Sequence, residues 1–119
     1  MKAKDALGRR GEEIACAHLI EAGFRVVARN WRCPVGEIDI VAHDGPALVI
    51  VEVKTRTSDA YGHPFEAITP AKLKRLNLLG AAWVAAHDVS RRQAFRVDVL
   101  GILCPSSGEP TVEHLRAVV

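Results

Sequence analysis

Two β-branched segments set the pattern of this chain. Glu37-Ile38-Asp39-Ile40-Val41 and Ala47-Leu48-Val49-Ile50-Val51-Glu52-Val53-Lys54-Thr55-Arg56 flank His43-Asp44-Gly45-Pro46. Segments of that kind on either side of an Asp-Gly-Pro turn predict a β-hairpin. A four-residue loop over 44–47 would set His43 opposite Leu48 and Asp39 opposite Glu52. Upstream, Leu7, Gly11, Ile14, Ala15, His18, Leu19 and Ala22 recur at helical spacing, and Gly23 offers a stop, so a helix is expected from about Ala6 to Ala22. Phe24–Arg29 reads as an edge or half-buried strand, and Asn30–Gly36 as a connection into the hairpin. Thr69-Pro70 is a helix start, with Thr as N-cap and Pro in the first turn. That helix should run to about His87 with Leu73, Leu76, Gly80, Trp83 and Val84 on its apolar side. Ala94–Leu103 alternates as a strand, Pro105–Pro110 is a turn-rich connector, and Thr111–Leu115 fits a short final strand. The order α-β-β-β-α-β-β predicts an α/β sandwich around a mixed sheet flanked by two main helices.

The expected hairpin register carries a conflict. Opposed residues share a face with Cβ atoms ~5 Å apart, and like charges there destabilise the pair. For Asp39 and Glu52 the repulsion is roughly 3 kcal/mol at an effective dielectric of about 20. Lys54 lies on the same face two residues beyond Glu52, with Glu37 opposite it. Two readings follow. The hairpin has a solvated charged face with a Glu37–Lys54 ion pair, or the carboxylates hold a divalent cation. Hard cations such as Mg²⁺ prefer carboxylate oxygens. A Lys beside such a site can hold a phosphate oxygen or orient an attacking water. Spacing alone does not choose between them.

Composition narrows the class. The chain has 119 residues, 49% hydrophobic and 25% charged, which fits one globular domain spanning 1–119. Nothing approaches an eighteen-residue apolar run, so no membrane span is predicted. The first residues, Met1 to Asp5, lack an apolar secretory core. Cys16, Cys33 and Cys104 are dispersed and odd in number, as expected for reduced thiols and a cytoplasmic protein. The net charge of +2 is too small to identify a nucleic-acid partner. Eleven of the sixteen basic residues are Arg, whose planar fork suits phosphate.

Other positions carry two readings each. Glu12 falls at the border of the first helix's apolar stripe and Glu13 further round; a carboxylate at Glu12 can reach the sheet, or both are acids favoured by the helix dipole. Lys72 and Arg75, three apart near a helix N-terminus, form a phosphate grip or a solvated basic face. Arg32 is a phosphate contact or a solvated turn residue. Trp31 is a core residue or a stacking platform for a base. His63 lies in the polar loop over 57–66, without a fixed partner, and is not counted as catalytic.

Four strings occur in a distinctive order: Gly8-Arg9-Arg10-Gly11-Glu12, Asn30-Trp31-Arg32, Gly36-Glu37-Ile38-Asp39-Ile40-Val41 and Val51-Glu52-Val53-Lys54-Thr55-Arg56. Together they resemble the YraN-like family, a bacterial group of uncharacterised endonuclease-like proteins related to archaeal Holliday-junction resolvases. Asp39 followed by Glu52-x-Lys54 looks like the PD-(D/E)xK nuclease signature. Ile38 stands where that signature has Pro, but Asp supplies the metal ligand and Pro only backbone shape. Arg96-Val97-Asp98-Val99 resembles the family's Arg-Phe-Asp-Val string, and the role of Asp98 is left open. The likeness runs from Gly8 to about Asp98.

The resemblance implies a restriction-endonuclease-like core and hydrolysis of DNA phosphodiesters. It implies Asp39, Glu52, Lys54 and Glu12 as catalytic residues, with Mg²⁺ or Mn²⁺ held by Asp39, Glu52, Glu12 and the Val53 carbonyl. Glu37 would be a partner of Lys54. Lys72, Arg75, Arg32 and Arg56 are the implied contacts to nucleic acid. Branched DNA follows by analogy with resolvases, which would also require a two-fold homodimer. The alternative is a non-catalytic nucleic-acid-binding or adaptor protein on the same fold. It would have no need of Asp39, Glu52 and Lys54 together.

Overall fold

The computed structural model describes residues 5–58, 60, 62, 63, 65, 68–87 and 94–118. Its elements are α1 (Ala6–Glu21), β1 (Arg25–Cys33), β2 (Gly36–Asp44), β3 (Ala47–Arg56), α2 (Pro70–Ala86), β4 (Phe95–Leu103) and β5 (Thr111–Leu115). The five strands form one mixed sheet in the order β1-β2-β3-β4-β5. Neighbours are antiparallel except β3 and β4, which run parallel and are joined through α2. A parallel pair needs such a long crossover, whereas the antiparallel pairs need short turns only. This α/β arrangement, its two helices and its element order are those the pattern predicted.

Both faces of the sheet are covered, which is why its central strands are nearly continuous apolar runs. On one face Ala15, Cys16 and Leu19 of α1 pack on Ile40, Ala42, Val49, Val51, Leu100 and Ile102. On the other, Leu76, Leu79 and Trp83 of α2 pack on Ile38, Val41, Leu48, Ile50 and Val97. Caps hold the helix starts: Asp5 accepts from Gly8 N–H at 2.7 Å and Thr69 from Lys72 N–H at 3.2 Å. Leu79 joins the buried side of α2 beyond the positions that helical spacing predicts. Trp31 takes the packing role, its ring edge-on to Trp83 at 5.3 Å. No helix among the described residues is long and apolar enough to cross a membrane.

Three local expectations are corrected. Asn30–Cys33 is not a connection but the second half of β1, so Pro34-Val35 alone turns the chain into β2. Its charged and aromatic side chains disguise a strand because β1 is an edge. The β2–β3 hairpin closes through Gly45-Pro46, with Asp44 paired to Ala47, so its loop is two residues and not four. The His43–Leu48 register is unchanged by this. Glu37 does not face Lys54, for the β2–β3 ladder ends at Ile40–Val51. Of the loop after β3, Asp59, Tyr61, Pro64 and Glu66 lie outside the described residues, as do Met1–Lys4.

Asp98, in register with Val51 on the neighbouring strand, has a structural setting of its own. Fully buried, it accepts from Arg96 Nε at 3.0 Å and Ala117 N–H at 2.9 Å, and lies 2.9 Å from His114 Nε2. Burial works against its charge, but Arg96, the Ala117 amide and His114 hold its carboxyl below the usual range. Arg96 also reaches Asp44 at 2.9 Å, tying the start of β4 to the end of β2.

Gly11 sets how closely α1 approaches the sheet. A Cβ there would lie 1.9 Å from Thr55 Oγ1 and 2.8 Å from its Cγ2. Neither atom has the slack of a long side chain's end. Gly11→Ala should therefore cost about 1–3 kcal/mol, despite Ala being the better helix former. Urea unfolding would measure it, and an unchanged or raised midpoint would refute the close approach.

Candidate metal centre and nucleic-acid cleft

The alternation of β2 breaks at Asp39. Ile38 packs on the α2 face while Ile40, two residues on, packs on the α1 face. Regular pleating would have put both on one side. Where the ladder to β3 stops, the Asp39 side chain takes over. Its Oδ2 accepts the Val53 N–H at 2.8 Å, so a carboxylate satisfies a donor that backbone pairing leaves behind. The two strands part here, and a cleft of about 560 Å³ opens between the sheet and the N-terminal halves of both helices.

Four elements deliver charge to that cleft. From α1 comes Glu12, from β2 Glu37 and Asp39, from β3 Glu52, Lys54 and Arg56, and from α2 Lys72 and Arg75. Glu12, Asp39 and Glu52 are only 3%, 8% and 6% exposed, so each needs compensation. The close approach at Gly11 carries Glu12 inward. Its neighbour Glu13 turns away and pairs with Arg29 at 2.9 Å on the surface. One oxygen each from Glu12, Glu37 and Asp39 lies within 4.8 Å of the others. Three carboxylate oxygens so grouped are a donor set suited to a hard divalent cation, with small inward movements closing them to bonding distance.

Glu52 lies next to this group. Burial, and then the Asp39 carboxylate that hydrogen-bonds it, push its pKa up from 4.5 to about 7. The Lys72 ammonium lies 2.8 Å from its Oε2. The repulsion expected between Asp39 and Glu52 is thus met by the neighbouring Lys72 ammonium and by the raised pKa of Glu52. Burial, and then the adjacent Lys72, lower the pKa of Lys54. Lys72 is itself penalised by burial, but Glu52 outweighs that and the net shift is upward.

All the predicted site residues but one line this cleft. Arg32 lies outside the lining and instead donates to Glu37 at 3.0 Å, fixing that side chain from the rim. Glu37 was expected beside Lys54; the structure groups it with Glu12 and Asp39. The available signal was Gly36-Glu37-Ile38-Asp39, two acids two apart. What hid it was the irregular pleat. His63 faces β5, 2.5 Å from Glu113, with Nδ1 accepting the Phe65 N–H at 3.1 Å.

The chain was compared with known proteins. Residues 11–102 match the model of a family described as "Uncharacterised protein family UPF0102". Proteins named UPF0102 protein from Arthrobacter sp. (strain FB24) and Beutenbergia cavernae are 59% and 54% identical over 118 residues, covering 99% of each chain. One from Streptomyces griseus is 49% identical over the same length and coverage. These relatives match essentially end to end, so the cleft residues lie within the shared region.

The raised pKa of Glu52 has a signed consequence. From pH 4.5 up to about 7 the folded protein keeps a proton that the unfolded chain releases, so this group's contribution to stability falls as pH rises through that window. Metal-free wild type should lose melting temperature over that range more steeply than Glu52→Gln. Mn²⁺ should restore more stability at pH 8 than at pH 6, because ligating carboxylates must be ionised. Parallel pH curves for the two proteins would refute the assignment.

Proposed function

The chain belongs to the uncharacterised UPF0102 family, and from its cleft we propose that it is a divalent-cation-dependent nuclease acting on DNA phosphodiesters. One observation carries this reading. Buried Glu12, Asp39 and Glu52 converge with Lys54 on a single cleft whose rim also presents Arg56, Lys72 and Arg75. A protein that merely held nucleic acid would gain from the basic residues and lose stability from the buried acids.

Glu12, Glu37 and Asp39, with Glu52 and the Val53 carbonyl alongside, would hold Mg²⁺ or Mn²⁺. When bound, such an ion polarises a phosphoryl oxygen and lowers the pKa of a water. Arg75 and Arg56 bind the phosphodiester's oxygens and orient it over the acids. Lys54 reaches the same space from β3. There it orients the attacking water or meets the charge that develops at phosphorus. The Asp39–Val53 hydrogen bond keeps one carboxylate oxygen of Asp39 fixed. Branched DNA is the substrate shape suggested by analogy with the resolvases that the family resembles, and a two-fold dimer is the assembly that cutting paired strands would require.

The test is cleavage of labelled four-way, flap, single-stranded and linear duplex DNA in Mg²⁺ or Mn²⁺. Wild type should cut, and Asp39→Asn and Lys54→Ala should each lose on the order of 10²-fold or more in rate while still folding. The ranking of the four substrates reads out shape preference. Wild type that binds these DNAs but cuts none, with either metal, would overturn the nuclease in favour of a binding or adaptor role.

A further inference from the structure

We propose that Lys72 is an exchangeable cation: its ammonium occupies Glu52 in the metal-free protein, and a divalent cation entering the cleft displaces it toward the anionic substrate. The inference rests on the cation site proposed above and adds a residue that moves.

Three observations carry it. Lys72 Nζ lies 2.8 Å from Glu52 Oε2, and the Glu52 side chain is 8% exposed, so this ion pair supplies charge where solvent cannot. Glu52 also hydrogen-bonds Asp39, which belongs to the carboxylate group that could hold a metal. A cation at that group would therefore compete for the acid that Lys72 neutralises. Lys54 stands within hydrogen-bonding reach of Lys72, so two amines crowd one carboxylate. That crowding is tolerable while Glu52 lacks a stronger cation, and it favours release of the amine that pairs with Glu52 once one arrives.

Lys72 is built for such a move. Its backbone is fixed in the first turn of α2, where its N–H caps to Thr69, while its side chain is a third exposed and opens on the cleft. Freed from Glu52, the ammonium sits on the same helix face as Arg75, one turn on, and beside Lys54. Cation loading would thus turn a neutralised acid–base pair into a positive pocket for phosphate. Empty of metal, the same residue keeps the buried acids from repelling each other.

The test uses whole protein without DNA, so cleavage is not its readout. Amine-selective labelling followed by mass spectrometry should show Lys72 modified faster once Mn²⁺ is added, with no such change in Asp39→Asn. Mn²⁺ binding followed by electron paramagnetic resonance should be about fivefold tighter in Lys72→Met than in wild type, as for loss of a competing ion pair of modest strength. Lys72→Arg should return it close to wild type. If wild type binds Mn²⁺ but Lys72 labelling stays constant or slows, or Lys72→Met binds no tighter, the exchange is refuted and the cation site stands. If neither wild type nor Lys72→Met takes up Mn²⁺, the cation site itself is refuted, and the exchange with it.

Discussion

The bond between Asp39 Oδ2 and the Val53 N–H is the constraint on which the cleft depends. A ladder that continued past Ile40–Val51 would use that N–H and hold β2 flat against β3. With a side chain in place of backbone, the strands separate without leaving a buried donor unmet. The same substitution turns Ile38 to the α2 face and groups Glu37 and Asp39 with Glu12. Moving one hydrogen bond from backbone to side chain thus opens the space and gathers the acids that line it.

Two groups of buried charge in the sheet are compensated differently. On β4, Asp98 is closed in by Arg96, His114 and a backbone amide, and Arg96 reaches on to Asp44. Each charge there has a fixed partner, and the cluster holds strand ends together. Around Glu52 of β3, the Lys54 and Lys72 amines crowd one another, and burial beside Asp39 pushes Glu52 to about 7. An arrangement that leaves charges imperfectly compensated is costly to stability. Such cost is common where a ligand is meant to complete the compensation.

Glycine has a part in this asymmetry. Gly11 lets α1 lie against Thr55, one residue beyond Lys54, and so brings Glu12 to the acids of β2. Gly80 does the same for α2 against the ring of Phe95, where an added Cβ would fall 2.3 Å from a ring carbon. Both helices are thereby drawn onto a sheet whose other contacts are made by branched and aromatic side chains. The cleft and the packing of the fold share these close approaches.

Much of this was legible in the order of residues. Helical spacing, the Thr69-Pro70 start, the Asp-Gly-Pro turn and the unbroken apolar runs are local signals, and they predicted every element and their order. The resemblance to the family singled out Glu12 over Glu13, and Asp39, Glu52, Lys54 and Lys72, which the fold then brings to one cleft. What tertiary structure alone decided is how those side chains are paired. Asn30–Cys33 is a strand because β2 offers it a partner, whatever its polarity. Glu37 joins Glu12, Lys72 joins Glu52, and Asp98 is sealed among Arg96 and His114. Periodicity assumes a regular pleat, and a single side chain that replaces a backbone acceptor breaks it. Which donor is left unmet, and which carboxylate can reach it, is set by strands distant in the chain.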